Sequence, residues 1–272
     1  MSEDKFLMTS NLTAERIQKY LAEGKRFDGR KLEEFRDIEI ETGVSKNAEG
    51  SAKVKIGNTE VLVGVKMSIG EPYPDSPNKG NLMTTAELLP LSSPRFETGP
   101  PKFPAIELGR VIDRGIRESK FIDFEKLCIK EGEKVWTVFI DIYSLNDDGN
   151  LFDAAGIGAI IALSNAMVPI YNEKEDKIDY NAERKEKLPL SKNIPVALTI
   201  HKIGNEFVFD PTREEEDISK TRITIGMTSD GNISSMQKGD KESLKIEEMN
   251  DILDRTEKVW KEVYKKIEKN LK

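Results

Sequence analysis

Three groups of residues in this 272-residue chain have the types and spacing to do chemistry. Arg110, Arg114 and Arg117 recur at i, i+4 and i+7, so a helix over 104–120 gathers them on one face. Leu108, Val111, Ile112 and Ile116 fall on the other. A ladder of guanidinium groups suits successive phosphates of a nucleic acid, because each group is always charged and presents a planar fork of donors. The same pattern also suits a solvated face neutralised by Asp113 and Glu118. Residues 95–120 carry six basic and four acidic side chains, a net +2 within a chain of net −7.

The second group is the run Asp148-Gly149-Asn150-Leu151-Phe152-Asp153-Ala154-Ala155. A glycine turn opening onto a helix offers free N–H groups and a positive dipole end, a seat for phosphate. Asp153 argues against an anion there: as the N-cap it satisfies those donors and repels negative charge. Phe152 adds no donor. The third group, Asp210-Pro211-Thr212-Arg213-Glu214-Glu215-Glu216-Asp217, follows a strand. Carboxylates at a strand end can hold Mg²⁺ when a substrate phosphate completes the octahedron. They equally form a solvated acidic loop.

Composition narrows the chemistry. Lys plus Arg number 42 against 49 Asp plus Glu, which excludes a basic nucleic-acid coat but not a local basic groove. Cys128 is the only cysteine and His201 the only histidine, so neither an internal disulfide nor a Cys/His zinc site is available within one chain. Any metal would have to be held by carboxylates. The most apolar stretch, 154–170, contains Ser164 and Asn165 and is rich in Gly and Ala, which suits a close-packed core helix better than a bilayer span. Glu3 and Asp4 at the N-terminus, with no long apolar run, give no signal peptide, and the cytoplasm is the expected location.

The elements that must position these groups are readable from period. Thr13 is expected to cap a short helix with Ile17, Tyr20 and Leu21 on one face, ending at Gly24. The period then changes to two: 53–56 and 61–65 flank Gly57-Asn58 as a hairpin, and 82–89 forms a third strand. Pro-rich loops lie at 72–77 and 90–104; the arginine helix follows, then a long apolar strand over 135–145 and a small-residue helix opened by Asp153. Residues 171–192 are crowded with mixed charge and read as an exposed connection. Beyond it, 196–203 and 206–209 form another hairpin, whose Lys202-Ile203-Gly204-Asn205 echoes Lys55-Ile56-Gly57-Asn58. A terminal helix buries Met249, Ile252, Leu253, Val259, Trp260, Val263, Tyr264 and Ile267. Strands interleaved with a few helices, without βαβα rhythm, give an α+β class. The expected division is an N-terminal helix in 1–25, a first lobe over 26–170, the connection 171–192 and a second lobe over 193–272.

Several longer motifs now stand in order: Arg26-Phe27-Asp28-Gly29-Arg30, Gly70-Glu71-Pro72-Tyr73-Pro74-Asp75, Glu87-Leu88-Leu89-Pro90-Leu91, Arg110 to Arg117, Val135 to Tyr143, and Met236-Gln237-Lys238-Gly239. With them the chain resembles the ribonuclease PH family over nearly its whole length. Within that family it is most similar to the non-catalytic ring subunit of the archaeal exosome. The resemblance implies a ribonuclease PH-like fold of two β-sheet lobes packed with helices, and phosphorolysis of RNA from its 3′ end. Active members carry a Gly-Gly-Thr-Arg-Thr or Gly-Ser-Ser-Arg type clamp where this chain has 149–153. Phe152 replaces the clamp arginine and Asp153 a hydroxyl. Active members also have two aspartates six positions apart, where this chain has Asp210 and Glu216.

The resemblance therefore implies no catalytic residue, no resident metal and no cofactor in this subunit. It assigns Arg110, Arg114 and Arg117, with Arg95 of the Pro-rich loop, to RNA. The implied partners are a homologous catalytic subunit in a hetero-hexameric ring of three heterodimers, RNA-binding cap subunits and single-stranded RNA, with no membrane. Two other readings stay open at this point: an active phosphate-dependent exoribonuclease resting on Asp210 and Glu216, and an acidic scaffold whose arginines only form salt bridges.

Overall fold

The structure, a computed structural model, describes residues 9–180 and 182–271; Glu3 and Asp4 lie outside them, as does the start of the 1–25 segment. Helix α1 (Asn11–Ala22) buries Ile17 and Leu21. Its cap is Ser10, not Thr13: Ser10 is extended and its Oγ accepts the Thr13 N–H at 3.2 Å. Strands β1 (Ile38–Thr42), β2 (Gly50–Ile56) and β3 (Thr59–Gly70) form an antiparallel meander. Its β2–β3 hairpin turns on Gly57, whose φ of +57° needs no Cβ. Strand β4 (Asn81–Leu88) precedes helix α2 (Phe103–Glu118). Short β5 (Cys128–Lys130) and the long β6 (Lys134–Asn146) follow. The sheet order is β1-β2-β3-β6-β4, with β5 on β6. Strand β4 runs parallel to β6, so α2 is the crossover that reverses the chain.

Helix α3 (Leu151–Ser164) starts before Asp153, because Asn150 takes the N-cap position in a left-handed conformation. Twelve of its residues are buried, which only a helix covered on all sides can achieve. Small residues allow the approach. A Cβ on Gly158 would stand 2.7 Å from Val63 Cγ2.

The charged stretch after α3 carries short strands: β7 (Met167–Val168) pairs with β10 (Glu186–Lys187), and β8 (Ile170–Asn172) with β9 (Lys177–Asp179). Most of it is exposed, but Leu188 returns to the core. A second sheet then orders β12-β11-β13-β14, all antiparallel, from β11 (Pro195–Ile203), β12 (Glu206–Phe209), β13 (Thr221–Thr228) and β14 (Ile233–Gly239). Helix α4 (Arg213–Ile218) links β12 to β13, and α5 (Ile246–Ile267) closes the chain. Trp260 of α5 donates its Nε1–H to the Val196 carbonyl at 3.0 Å.

One hydrophobic core runs through both sheets. Val54, Val63 and Ile140 of the first sheet join Leu198, Ile200 and Ile225 of the second, with Ile157 and Ile161 of α3 between them. This is an α+β architecture of two sheets packed with helices. Helix α3 is thus a fixed strut, and its N-terminus opens where the β6–α3 turn meets α4.

Candidate functional site

At that junction the acidic run and the glycine turn meet. Asp210 is fully buried with a φ of +44°. Its Oδ1 accepts from Arg36 Nη2 at 2.7 Å and Asn150 Nδ2 at 2.8 Å; its Oδ2 accepts from Arg30 Nη1 and the Arg36 N–H, both at 2.8 Å, and from Arg36 Nε at 2.9 Å. Burial alone would raise this carboxyl, but the hydrogen bonds and charge of Arg36, with Arg30 beside it, hold it below the ordinary aspartate value. Beneath it, Arg26 donates from Nε at 2.9 Å and from Nη2 at 2.5 Å to the two oxygens of Glu215. None of Arg26, Arg30 and Arg36 was singled out as an ion-pair residue from sequence; only their recurrence near the start of the chain could have signalled them.

Glu216 sits where an anion would bind. Its Oε1 accepts the Asn150 N–H, the donor at the mouth of α3, at 2.6 Å, and its Oε2 pairs with Arg213 Nη1 at 2.8 Å. His201 Nε2 lies 4.0 Å from the same Oε1. A carboxylate is a planar mono-anion standing in for the tetrahedral di-anion the seat could otherwise take. The seat is also narrow. Gly149 has φ +82°, and a Cβ there would stand 2.5 Å from the Pro211 carbonyl oxygen, so the two turns are pressed together. Arg36 closes the outside by donating to the carbonyls of Asp148 at 2.9 Å and Gly149 at 3.1 Å.

This corrects the expected role of Asp153. It is not the cap: it lies fully buried in the first turn of α3, and the Asn150 N–H at the mouth of the helix is taken by Glu216 instead. Burial pushes its carboxyl well above the ordinary aspartate value, and Thr199 and Asn150 beside it offset this only in part. Phe152 is half-buried, with the Arg222 guanidinium 4.1 Å above its ring centre. Arg222 in turn pairs with Glu107 of α2.

The metal that active family members hold between carboxylates does not fit these residues. Both Asp210 oxygens are occupied by guanidinium or amide donors, and both Glu216 oxygens by the Asn150 N–H and Arg213. A cation would have to displace three arginines whose charges repel it.

The arginine face is arranged differently. Arg110 and Arg114 are exposed and form no hydrogen bond or ion pair with any described residue. The two acids expected to neutralise the stripe do not reach them: Asp113 pairs with Arg117 at 3.1 Å, and Glu118 forms no ion pair among the described residues. Arg117 is the engaged member, also donating to the Leu82 carbonyl at 3.2 Å and lying over Phe124. Arg95 turns inward. It makes a two-pronged pair with Asp217, which Arg213 and Thr9 also contact. The structure thus brings Arg95 to the acidic network and leaves Arg110 and Arg114 as adjacent cations without a partner among the described residues, about 6 Å apart along the helix axis.

Two family profiles match the chain. Residues 34–169 match the profile described as "3′ exoribonuclease family, domain 1" (RNase PH), and residues 193–259 match "3′ exoribonuclease family, domain 2". The "Exosome complex component Rrp42" of Pyrococcus furiosus is 51% identical over 251 residues, covering 92% of this chain and 89% of that protein. A chain of the solved "archaeoglobus fulgidus exosome with RNA bound to the active site" superimposes with a TM-score of 0.86 at 44% identity, covering 94% of this chain and 98% of that one. A chain of an "Archaeal exosome core" gives 0.82 at 40% identity, covering 94% and 96%.

Proposed function

The chain belongs to the ribonuclease PH, or 3′ exoribonuclease, family, and from that premise we propose that it is a non-catalytic, RNA-binding subunit of an exosome-like ring that degrades RNA 3′ to 5′. The reading includes a homologous catalytic partner, three heterodimers per ring, RNA-binding cap subunits over one face and a cytoplasmic location. It also keeps the division into a first lobe over 26–170, a connection over 171–192 and a second lobe over 193–272. No helix among the described residues is long and apolar enough to cross a membrane.

The observation that carries the reading is the Glu216 carboxylate on the Asn150 N–H. Phosphorolysis needs inorganic phosphate seated against the terminal phosphodiester, so that its oxygen bonds to phosphorus as the bond to the 3′-oxygen of the preceding nucleotide breaks. The shortened RNA leaves with a 3′-hydroxyl and the terminal nucleotide is released as a nucleoside diphosphate. Two anions must approach, and positioning supplies most of the catalysis in phosphoryl transfer. A built-in carboxylate at the seat removes the donor and adds repulsion. The rival, an active exoribonuclease in its own right, requires Asp210 and Glu216 to be free for a metal, and their hydrogen bonds oppose it. The scaffold rival requires the arginines to be spent in salt bridges; among the described residues Arg110 and Arg114 are not.

The function left to this chain is to hold RNA. Arg110 and Arg114 offer phosphate contacts that read no base, which suits a machine acting on many sequences. Their place is to steady the strand while a neighbouring subunit does the chemistry.

The test is phosphate-dependent release of nucleoside diphosphates from oligoadenylate with Mg²⁺, by this chain alone, by the catalytic partner alone and by the two together. The expected result is no release by this chain alone and more release by the pair than by the partner alone. Phosphate-dependent release that stays with this chain through repurification would overturn the reading.

A further inference from the structure

The outward face of α2 carries more than its arginines. Phe103, the first residue of the helix, is 62% exposed, and Ile106 is 49% exposed, although Leu108, Val111, Ile112 and Ile116 of α2 are buried. Single exposed apolar residues are ordinary on a protein surface. The alignment is what sets these two apart. At about 100° per residue, Phe103, Arg110 and Arg114 fall within about 40° of one another on the helix, with Ile106 about 60° to one side. Phe103 lies about 10 Å along the axis before Arg110, and Arg114 about 6 Å beyond it. The face is therefore a line: an aromatic ring with an aliphatic shoulder, then two guanidinium groups without partners among the described residues.

We propose that Phe103 is a stacking platform for a base of single-stranded RNA, continuing the strand whose phosphates Arg110 and Arg114 hold. The inference rests on the RNA-binding reading above and extends it from phosphate to base. Proteins that bind single strands without sequence preference combine backbone cations with aromatic faces, because every base has a π-face to stack. Phe103 has no hydrogen-bonding group, so stacking on it discriminates little among bases, consistent with the arginines beside it. Neighbouring charge favours RNA over a protein partner: a covering protein would have to neutralise Arg110 and Arg114, whereas a nucleic-acid strand does so with its own phosphates. Lys102, the residue before Phe103, is paired with Glu97 and does not crowd the ring with another free cation.

The experiment compares complexes assembled from the catalytic partner and wild-type, Phe103→Ala, Phe103→Trp or Arg110→Ala/Arg114→Ala chains, in phosphate-free buffer so that no RNA is consumed. Each is titrated with oligoadenylate and with an abasic ribose-phosphate oligomer of the same length. Stacking predicts that Phe103→Ala weakens oligoadenylate binding about tenfold, leaves abasic binding and the salt slope unchanged, and that Phe103→Trp restores affinity. An equal loss on both oligomers, or no loss on oligoadenylate while the arginine variant binds weakly, overturns the stacking role and leaves the RNA-binding reading standing. No loss in either variant overturns both. Failure of Phe103→Ala and Phe103→Trp to assemble marks the face as a subunit contact and also overturns the proposal.

Discussion

Replacing Asp210 with alanine is expected to destabilise the chain by about 3–5 kcal/mol, the range for removing one partner of a buried ion pair. Asp210 is completely buried, and the side chains of Arg30 and Arg36 are only 11% and 10% exposed. Without the carboxylate, two desolvated guanidinium groups face each other, and the Asn150 amide loses its acceptor. Urea denaturation at neutral pH reads the loss. A loss below about 1 kcal/mol would mean that the arginines relax to solvent and that the network is not structural.

The pH dependence carries a matching sign. The folded-state value of Asp210 is depressed, so its contribution is complete above the unfolded value of about 3.9 and is lost as pH falls through the folded one. The Asp210→Ala chain should therefore lose less stability than the wild type on acidification below about pH 4. A change at Asp210 thus reports on folding, and chemistry has to be tested elsewhere in the site.

The second large effect concerns Arg110→Ala/Arg114→Ala. In complexes first shown to be fully assembled, RNA affinity should fall about tenfold per arginine, the size of one charge-assisted hydrogen bond. The slope of log affinity against log salt should flatten by about 0.7 for each lost contact to a single strand. The effect should be nearly independent of base identity, because phosphates carry no sequence information. Thermal stability should stay close to wild type, since neither side chain has a partner to lose among the described residues. An unchanged affinity and salt slope in intact complexes would reassign the face to solvent.

Most of the elements that place these groups were legible from period and punctuation. The helix over Phe103–Glu118, the hairpins at Gly57 and Gly204 and the terminal helix Ile246–Ile267 sit within a few residues of expectation. The first helix cap was not, because Ser10 and Thr13 both carry hydroxyls and lie 2.9 Å apart, and only backbone conformation decides between them. Asp153 looked like a cap because sequence shows its type but not that Asn150 had already turned left-handed.

The closed seat was half legible. The run itself showed that Phe152 adds no donor, and only the resemblance to active family members marked it as the place of a clamp arginine. The replacement by Glu216 could not be read, because the contact joins residues 66 apart, and the arginines locking Asp210 lie 174 and 180 positions away. Local patterns constrain neighbours along one element. Which two loops a packed core presses together is settled by the whole fold.

The central claim, that this subunit holds RNA and performs no chemistry, is tested most directly at Glu216. The measurement is steady-state phosphorolysis of oligoadenylate by the assembled complex carrying Glu216→Gln in this chain. Glutamine keeps an oxygen for the Asn150 N–H while removing the charge that a metal or a general base would need. The expected result is kcat and KM within about twofold of wild type, because nothing removed touches the reacting atoms. A drop in kcat of tenfold or more with the complex intact would contradict it and place Glu216 in the chemical step.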